Sequence, residues 1–201
     1  MINYEYCVLG LTSKCNLHCP SCFRLKSNVD FISTEVLIKV MKFLKFINCK
    51  YLCISGGEPL LHFEWEKIIH FFYDNGIIPL LSTNASFIKD LGNPVFQKIA
   101  ILSIPLDGFD EKSKDAIRGS GHFSKVTELI DTYNHDKCSF ILKVNTVINK
   151  VNYDNIEHFI ERFKNRNDVI WKLFEISSRS GKDLNKFEIN TNFYDFEKLI
   201  I

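Results

Sequence analysis

The sequence carries its clearest fold signal in residues 50–59, KYLCISGGEP. The strand-forming residues 50–54 lead directly into a Gly-Gly-Glu-Pro turn. A helix is expected to follow over about 62–75, because Asn75-Gly76 closes the periodic stretch after the turn. This order of strand, polar turn and helix is one β/α unit.

The same unit recurs along the rest of the chain. Further strands are expected at 5–11, 77–82, 99–104, 139–148 and 169–176. Helices are expected at 34–47, 86–98, 122–135 and 152–166, with a last one starting near Phe193. Consecutive β/α units predict a parallel sheet, since parallel neighbours need a crossover that a helix supplies. Because six units fall short of a closed eight-stranded barrel, the expected fold is α/β, a partial (β/α)6 barrel with its chemistry at the C-terminal strand ends.

The composition is that of an ordinary globular domain. The chain has 201 residues, 46% of them apolar, and a formal net charge of +1. With this nearly balanced charge, the chain as a whole has no electrostatic field that would attract nucleic acid or an anionic membrane, so neither partner is expected. No apolar run approaches the roughly 18 residues of a membrane span, and residues 1–10 lack the features of a signal peptide. A single cytoplasmic domain is therefore expected.

Seven cysteines are the unusual feature of the composition. An odd number without a secretory signal argues against a disulfide framework. Three of them form the motif Cys15-x3-Cys19-x2-Cys22 directly after the first strand, where their thiolates can converge on one metal centre. Three ligands leave one iron of a [4Fe–4S] cluster open to a small molecule. The alternative is a zinc site, which needs a fourth ligand such as His18 or Cys7.

Polar residues and glycines also follow the next three strands. The second strand ends in Ser55-Gly-Gly-Glu-Pro59, the third in Ser82-Thr-Asn84 and the fourth in Ser103-Ile-Pro-Leu-Asp-Gly108. Glycines let the backbone approach a ligand closely, and Glu58 can accept from a cationic group. Each of these turns, taken alone, is more often a simple cap. Successive strand ends of this kind, the first carrying three cysteines, predict a ligand site at that edge of the sheet.

The order and spacing of these motifs resemble the radical S-adenosylmethionine (radical SAM) superfamily over essentially the whole chain. The resemblance implies a [4Fe–4S] cluster on Cys15, Cys19 and Cys22, with the open iron chelating the amino and carboxylate groups of S-adenosylmethionine. Reduction of such a cluster cleaves the sulfonium to methionine and a 5′-deoxyadenosyl radical, which takes a hydrogen atom from a substrate. An electron donor such as flavodoxin or ferredoxin is implied as a partner. Residues 1–201 are expected to form one radical SAM core domain whose C-terminal cover is short or absent.

The resemblance also assigns residues to the methionyl end of S-adenosylmethionine. It implies that Gly56, Gly57 and Glu58 meet the amino group. Arg118, in the sequence IRGSG, is implied as the partner of the carboxylate. A charge-assisted contact of this kind suits the fork of a guanidinium group.

Three further residues are assigned to the rest of the cofactor. Asn84 and Ser103 are candidates for its ribose or methionyl end, and Ile148 is implied to line the adenine. The sequence departs from the family at Ser21, where an aromatic residue usually packs against the adenine. The residue that packs on the adenine is therefore left unassigned.

The second half of the chain is similar to the viperin-like branch, which contains nucleotide dehydratases. Residues 142–150, 169–174 and 193–199 carry this likeness. It implies a nucleoside triphosphate that loses water from its ribose, with Lys172 among the basic groups that meet the phosphates. Two alternatives stay open. One is a maturase acting on a peptide or a cofactor precursor, which the SIPLDGFDE loop favours, and the other is a zinc- or cluster-binding module without turnover.

Overall fold

The computed structural model of the protein describes residues 4–20, 22 and 30–175. Its strands are β1 (Tyr6–Gly10), β2 (Tyr51–Ser55), β3 (Ile78–Ser82), β4 (Ile101–Pro105), β5 (Ile141–Ile148) and β6 (Val169–Glu175). Its α-helices are α1 (Thr34–Phe46), α2 (Trp65–Asp74), α3 (Glu111–Arg118), α4 (His122–Thr132) and α5 (Ile156–Phe163). Short 3₁₀ helices span Pro59–Leu61, Pro94–Lys98 and Tyr153–Asn155. Ser21 and the helix expected from Phe193 lie outside the described residues.

The strands form one parallel sheet in the order β1-β2-β3-β4-β5-β6. Because β1 and β6 are its two edges, the sheet is open, and the prediction of an α/β fold with a partial (β/α)6 barrel is confirmed. All strands run in the same direction, so their C-terminal ends lie at one edge of the sheet. Among the described residues, no helix combines the length and the apolar character needed to cross a membrane.

Alternate strand residues separate a buried face of the sheet from a second face, here named the open face. Leu52, Ile54 and Leu102 belong to the buried face and pack in one core with Phe72 of α2. Removing these apolar side chains from water is the main source of stabilising free energy. Most residues of the open face are partly buried or exposed, and the strand register aligns them in rows, such as Val8, Cys53, Leu80, Ile101 and Ile141.

The open face becomes polar toward the C-terminal strand ends. The next aligned row contains Ser82, Ser103 and Lys143. One row further on, the register pairs Asn145 with Lys172. Since a strand advances about 3.3 Å per residue, successive rows on one face lie roughly 6–7 Å apart. Polar groups therefore collect at the edge where the sequence predicted a ligand site.

The helix predicted over 86–98 is wrong, because turns fill this stretch until the short 3₁₀ helix Pro94–Lys98. Side-chain hydrogen bonds compete with helix formation here. The Oδ1 atom of Asn93 accepts the backbone N–H of Val95 at 3.0 Å. Gly92 also disfavours a helix, because glycine has a low helix propensity.

Helix α3 is an element that hydrophobic periodicity did not predict. Its first turn is capped reciprocally, since Asp110 Oδ1 accepts the N–H of Ser113 at 2.7 Å and Ser113 Oγ accepts the N–H of Asp110 at 3.1 Å. The helix contains few apolar residues, so its sequence shows no apolar stripe of period 3.6. Its last residue is Arg118, which α3 places at the same edge of the sheet as the cysteine motif.

A backbone ladder continues the pairing of β1 and β2 beyond the ends of the two strands. The N–H of Gly57 donates to the carbonyl of Thr12 at 2.7 Å, and the N–H of Glu58 donates to that of Lys14 at 2.8 Å. A Cβ on Gly57 would overlap the Lys14 carbonyl, and one on Gly56 would lie 2.5 Å from the Thr12 carbonyl oxygen. Gly56 also has a φ of +133°, in the region that favours glycine. The Gly-Gly pair is thus required by the approach of two backbones within the protein.

Gly57→Ala is predicted to lower the free energy of unfolding of the metal-free protein by roughly 1–3 kcal/mol, because one of the two overlapping chains must move. Urea unfolding followed by circular dichroism measures this change. Gly10→Ala is the matched control, since a Cβ there meets only the Cα of Gly56 at 3.5 Å, an ordinary contact. Equal unfolding free energies for the two variants would contradict the close approach at Gly57.

Candidate functional site

The cysteine motif is contacted by side chains from two distant parts of the chain. The Nδ2 group of Asn84, after β3, donates to Cys15 Sγ at 3.6 Å and to Asn16 Oδ1 at 2.8 Å. The Nη1 group of Arg118, at the end of α3, donates to Cys19 Sγ at 3.7 Å. The structure thus brings two of the predicted cofactor-binding residues against two of the three motif cysteines.

The motif thiols lie close enough to influence one another's ionisation. Burial raises the pKa of the Cys19 thiol, and the Arg118 guanidinium opposes this rise. The neighbouring Cys22 and Cys15 thiols raise the same pKa further by smaller amounts. Because the thiolate is the form that binds metal, a permanent cation here favours the ligating state of Cys19.

This donor set fits a metal cluster held by thiolates. Cys15, Cys19 and Cys22 are all partly exposed residues. Within residues 4–20, 22 and 30–175, no three His, Cys, Asp or Glu side chains are arranged to hold a single metal ion. A single ion needs its ligands around one point, whereas each cysteine of a [4Fe–4S] cluster binds a different iron.

Glu58 lies inside the protein and is 0% exposed. Its Oε1 atom accepts the Thr83 hydroxyl at 2.6 Å and the Leu60 N–H at 3.0 Å, and Oε2 accepts the Asn84 N–H at 2.7 Å. Burial raises the pKa of this carboxyl, while the three hydrogen bonds act in the opposite direction. The carboxylate therefore fixes the turn after β3.

Asn84 is held from its other side by a histidine that sequence reasoning did not single out. The Nε2 group of His122 donates to the Asn84 carbonyl at 2.7 Å. The Oδ1 atom of Asn84 accepts the N–H of Ser86 at 2.9 Å, which turns its Nδ2 group toward the cysteine motif. His122 is buried and begins α4. Its partner lies 38 residues earlier, so no local pattern could have revealed the contact.

Asp107 is the second buried carboxylate of the site, at 1% exposure. It forms an ion pair with Arg118 Nε through Oδ2, and its Oδ1 atom accepts the N–H of Val147 at 2.8 Å. Its carbonyl accepts from the Nδ2 group of Asn152 at 2.7 Å. Burial alone would lower the pKa of Arg118, but Asp107 and the Cys19 and Cys22 thiols together outweigh burial and raise this pKa above its ordinary value. The guanidinium is therefore charged and held with its Nη1 group at Cys19.

The other two predicted residues are Ser103 and Ile148. Ser103 lies on the open face of β4 between Ser82 and Lys143. Ile148 ends β5, is 4% exposed and belongs to the core. In the part of the chain that the structure describes, neither side chain hydrogen-bonds to a motif cysteine.

Two lysines and an asparagine line the polar end of the open face. The register pairs Asn145 with Lys172, and Lys143 precedes Asn145 by two residues on the same face. Neither lysine forms an ion pair with a described residue, although Lys172 Nζ lies 4.8 Å from the centroid of the Phe174 ring. The Oδ1 atom of Asn145 is buried without a hydrogen-bond partner among the described residues. The sequence indicated only Lys172 of these three.

Several curated proteins have similar sequences. The S-adenosylmethionine-dependent nucleotide dehydratase of Siniperca chuatsi is 32% identical over 193 residues, which cover 90% of this chain and 52% of that protein. The GTP 3′,8-cyclase of Staphylococcus haemolyticus is 25% identical over 203 residues, which cover 93% of this chain and 59% of that protein. The chain thus spans about half the length of the curated relatives it matches. The predicted likeness to nucleotide dehydratases is confirmed at this level.

Solved structures share the fold. SuiB of Streptococcus suis bound to S-adenosylmethionine matches with a TM-score of 0.80 at 19% identity, covering 98% of this chain and 46% of that chain. Native anSMEcpe with bound AdoMet matches with a TM-score of 0.70 at 20% identity, covering 86% of this chain and 52% of that chain. At these identities the likeness shows the fold alone.

The family itself is shown by sequence. The radical SAM superfamily model matches residues 9–163, a span that runs from the end of β1 to the end of α5. Members of this superfamily use a [4Fe–4S] cluster and S-adenosylmethionine, so the cofactor prediction is confirmed at the level of the family. With this match over most of its length, the chain belongs to the radical SAM superfamily.

Proposed function

We propose that this protein cleaves S-adenosylmethionine reductively at a [4Fe–4S] cluster and uses the resulting radical to abstract hydrogen from a nucleoside triphosphate. The observation that carries the proposal is the contact of Asn84 and Arg118 with the cysteine motif at the C-terminal edge of the sheet. The similarity to a nucleotide dehydratase supports the substrate class. The proposed partner is an external one-electron donor such as flavodoxin or ferredoxin.

In this proposal the chain itself binds and orients the cofactors. Cys15, Cys19 and Cys22 would hold the cluster as thiolates, leaving one iron without a protein ligand. When bound, the cluster supplies the electron that splits the sulfonium of S-adenosylmethionine into methionine and a 5′-deoxyadenosyl radical, which removes the hydrogen atom. The polar groups around the motif have no acid–base task in that step, so their role is to position what binds.

Arg118 carries the charge that suits the methionyl carboxylate. Asp107 holds the Nε edge of the guanidinium and so leaves the Nη groups at the cysteine motif. A planar guanidinium can bind a carboxylate through two parallel hydrogen bonds. A carboxylate bound by the Nη groups of Arg118 would lie beside Cys19.

The polar end of the open face suits the other end of the substrate. Lys143 and Lys172 present positive charge without an ion-pair partner among the described residues, as binding of a polyphosphate requires. The buried Oδ1 atom of Asn145 costs free energy while it lacks a donor, and a ribose hydroxyl could supply one. These three side chains lie on one face, in consecutive rows of the register.

Anaerobic reconstitution is expected to give about four irons and four sulfides per chain, and release of 5′-deoxyadenosine when a strong reductant and S-adenosylmethionine are added. A panel of nucleoside triphosphates should contain one that raises this release above the background without substrate. Cys19→Ala should lose both the iron and the cleavage. Cys138→Ala, which changes a partly exposed thiol outside the motif, should keep both.

Several results of that experiment would contradict the proposal. Unchanged cleavage in the Cys19→Ala protein would refute the assignment of its thiol as a ligand. Colourless protein that holds one zinc would overturn radical chemistry altogether. Release of 5′-deoxyadenosine that responds to a peptide and to no triphosphate would replace the nucleotide substrate with the maturase alternative.

Asp107→Asn is predicted to raise the KM for S-adenosylmethionine by about tenfold or more, because the amide cannot pair with the Arg118 guanidinium. Iron content should stay at the wild-type value. Asp131→Asn is the matched control, since Asp131 pairs with Arg162 at 2.8 Å on the surface, and it should leave the KM within about twofold. Equal KM values for the two variants would count against the role of Arg118.

Lys172→Met is predicted to raise the KM for the accepted triphosphate by about tenfold, because it removes a charged contact with phosphate. The KM for the corresponding nucleoside should change much less, because a nucleoside has no phosphate for Lys172 to bind. Lys164→Met is the control, because Lys164 pairs with Glu161 at 2.7 Å on the surface. A similar rise for nucleoside and triphosphate would show that Lys172 acts through packing instead.

A further inference from the structure

His62 is a buried residue close to the turn that follows β2. It is 2% exposed and comes directly after the 3₁₀ helix Pro59–Leu61. Two aromatic rings fix the plane of its imidazole. Phe63 stacks on it with ring centroids 5.0 Å apart, and Phe31 meets it edge-on at 5.3 Å.

Both ring nitrogens of His62 are hydrogen-bonded to the backbone. Nδ1 accepts the N–H of Glu64 at 3.2 Å, and Nε2 lies 3.2 Å from the carbonyl oxygen of Ile32. Since a backbone N–H only donates and a carbonyl only accepts, Nδ1 is the acceptor and Nε2 the donor in this arrangement. His62 therefore donates to Ile32, a residue 30 positions earlier in the chain.

Ile32 lies at the end of the segment that contains the cysteine motif. Its N–H donates to the Leu11 carbonyl at 2.9 Å, and the residue before it forms an antiparallel bridge with Thr12. The two ends of the segment 12–31 are therefore joined to each other, and this junction is here called its base. His62 connects that base to the turn after β2.

The cysteine motif is thus held on both sides. The Gly-Gly turn holds its N-terminal side through Thr12 and Lys14, and on its C-terminal side His62 adds a hydrogen bond at Ile32 to the one that Ile32 makes with Leu11. A segment held by fewer hydrogen bonds at its ends has more conformations available, which raises the entropic cost of bringing three thiols together.

We propose that His62 is a positioning residue for the [4Fe–4S] cluster. Its hydrogen bond to Ile32 keeps the three thiols in the arrangement that retains the cluster, without any contact between His62 and the cofactor. This inference rests on the cluster site of the proposed function. It separates the task of His62 from that of the cysteines, which bind iron directly.

Glutamine and asparagine distinguish the two hydrogen bonds of the ring. The side-chain N–H of glutamine reaches about as far as Nε2, whereas asparagine carries its oxygen near the position of Nδ1. His62→Gln therefore keeps a donor for Ile32, and His62→Asn keeps only an acceptor for Glu64. His70→Asn is the matched control, because His70 is a partly buried histidine of α2 and follows the same turn in the sequence.

The experiment measures how fast the anaerobically reconstituted protein releases iron to a chelator. We expect His62→Asn to release iron about fivefold faster than the wild type, as loss of one hydrogen bond implies. His62→Gln and His70→Asn should stay within about twofold of the wild-type rate. The same order should appear in the intensity of the electron paramagnetic resonance signal of the reduced cluster.

Each outcome decides the proposal. A wild-type rate of iron release from His62→Asn would overturn it, and so would equally fast release from the Asn and Gln variants. If His62→Asn does not fold, His62→Gln decides alone: a wild-type rate supports the proposal and faster release overturns it. Failure of the wild-type protein to take up a cluster would instead overturn the proposed function, and this inference with it.

Discussion

Two backbones come into contact where the Gly56-Gly57 turn passes the beginning of the cysteine motif, and the arrangement of the site depends on that contact. A side chain on Gly57 would overlap the carbonyl of Lys14, so only glycine permits the two hydrogen bonds that join the chains. These bonds extend the pairing of β1 and β2 beyond their last residues. The motif thus starts from a position that the rigid sheet determines, although its thiols lie on a loop.

At the other strand ends, buried polar side chains fix the positions of the groups that face the cysteine motif. Glu58 orients the turn that presents Asn84, and Asp107 orients Arg118 while joining the end of β4 to Val147 at the end of β5. Burying a carboxylate is costly unless its oxygens are fully hydrogen-bonded, and both carboxylates satisfy this condition with at least two partners each. Asn84 and Arg118, which face the cysteines, are therefore held in place by Glu58 and Asp107, which do not face them.

The sequence revealed the parts of the site that depend on local patterns and not those that depend on distant partners. The alternation of short apolar runs with amphipathic stretches predicted the strands and their parallel direction, and spacing indicated the cysteine motif. The sequence placed Asp107 in a turn and indicated no role for it, because its partners Arg118 and Asn152 lie 11 and 45 residues away. His62 similarly acts on Ile32, and helix α3 is specified by a polar cap with little apolar periodicity. Such contacts become visible only when the chain is folded.

A net charge of +1 conceals an uneven distribution of charge. On the surface, Arg162 and Lys164 are each paired with a carboxylate. On the open face, Lys143 and Lys172 have no such pairing among the described residues, so positive charge accumulates near the C-terminal strand ends. Lys143 is partly buried, and such a charge is screened less by salt than an exposed one such as that of Lys172. The proposed triphosphate would thus meet local positive charge, even though the molecule as a whole offers no field for a nucleic acid.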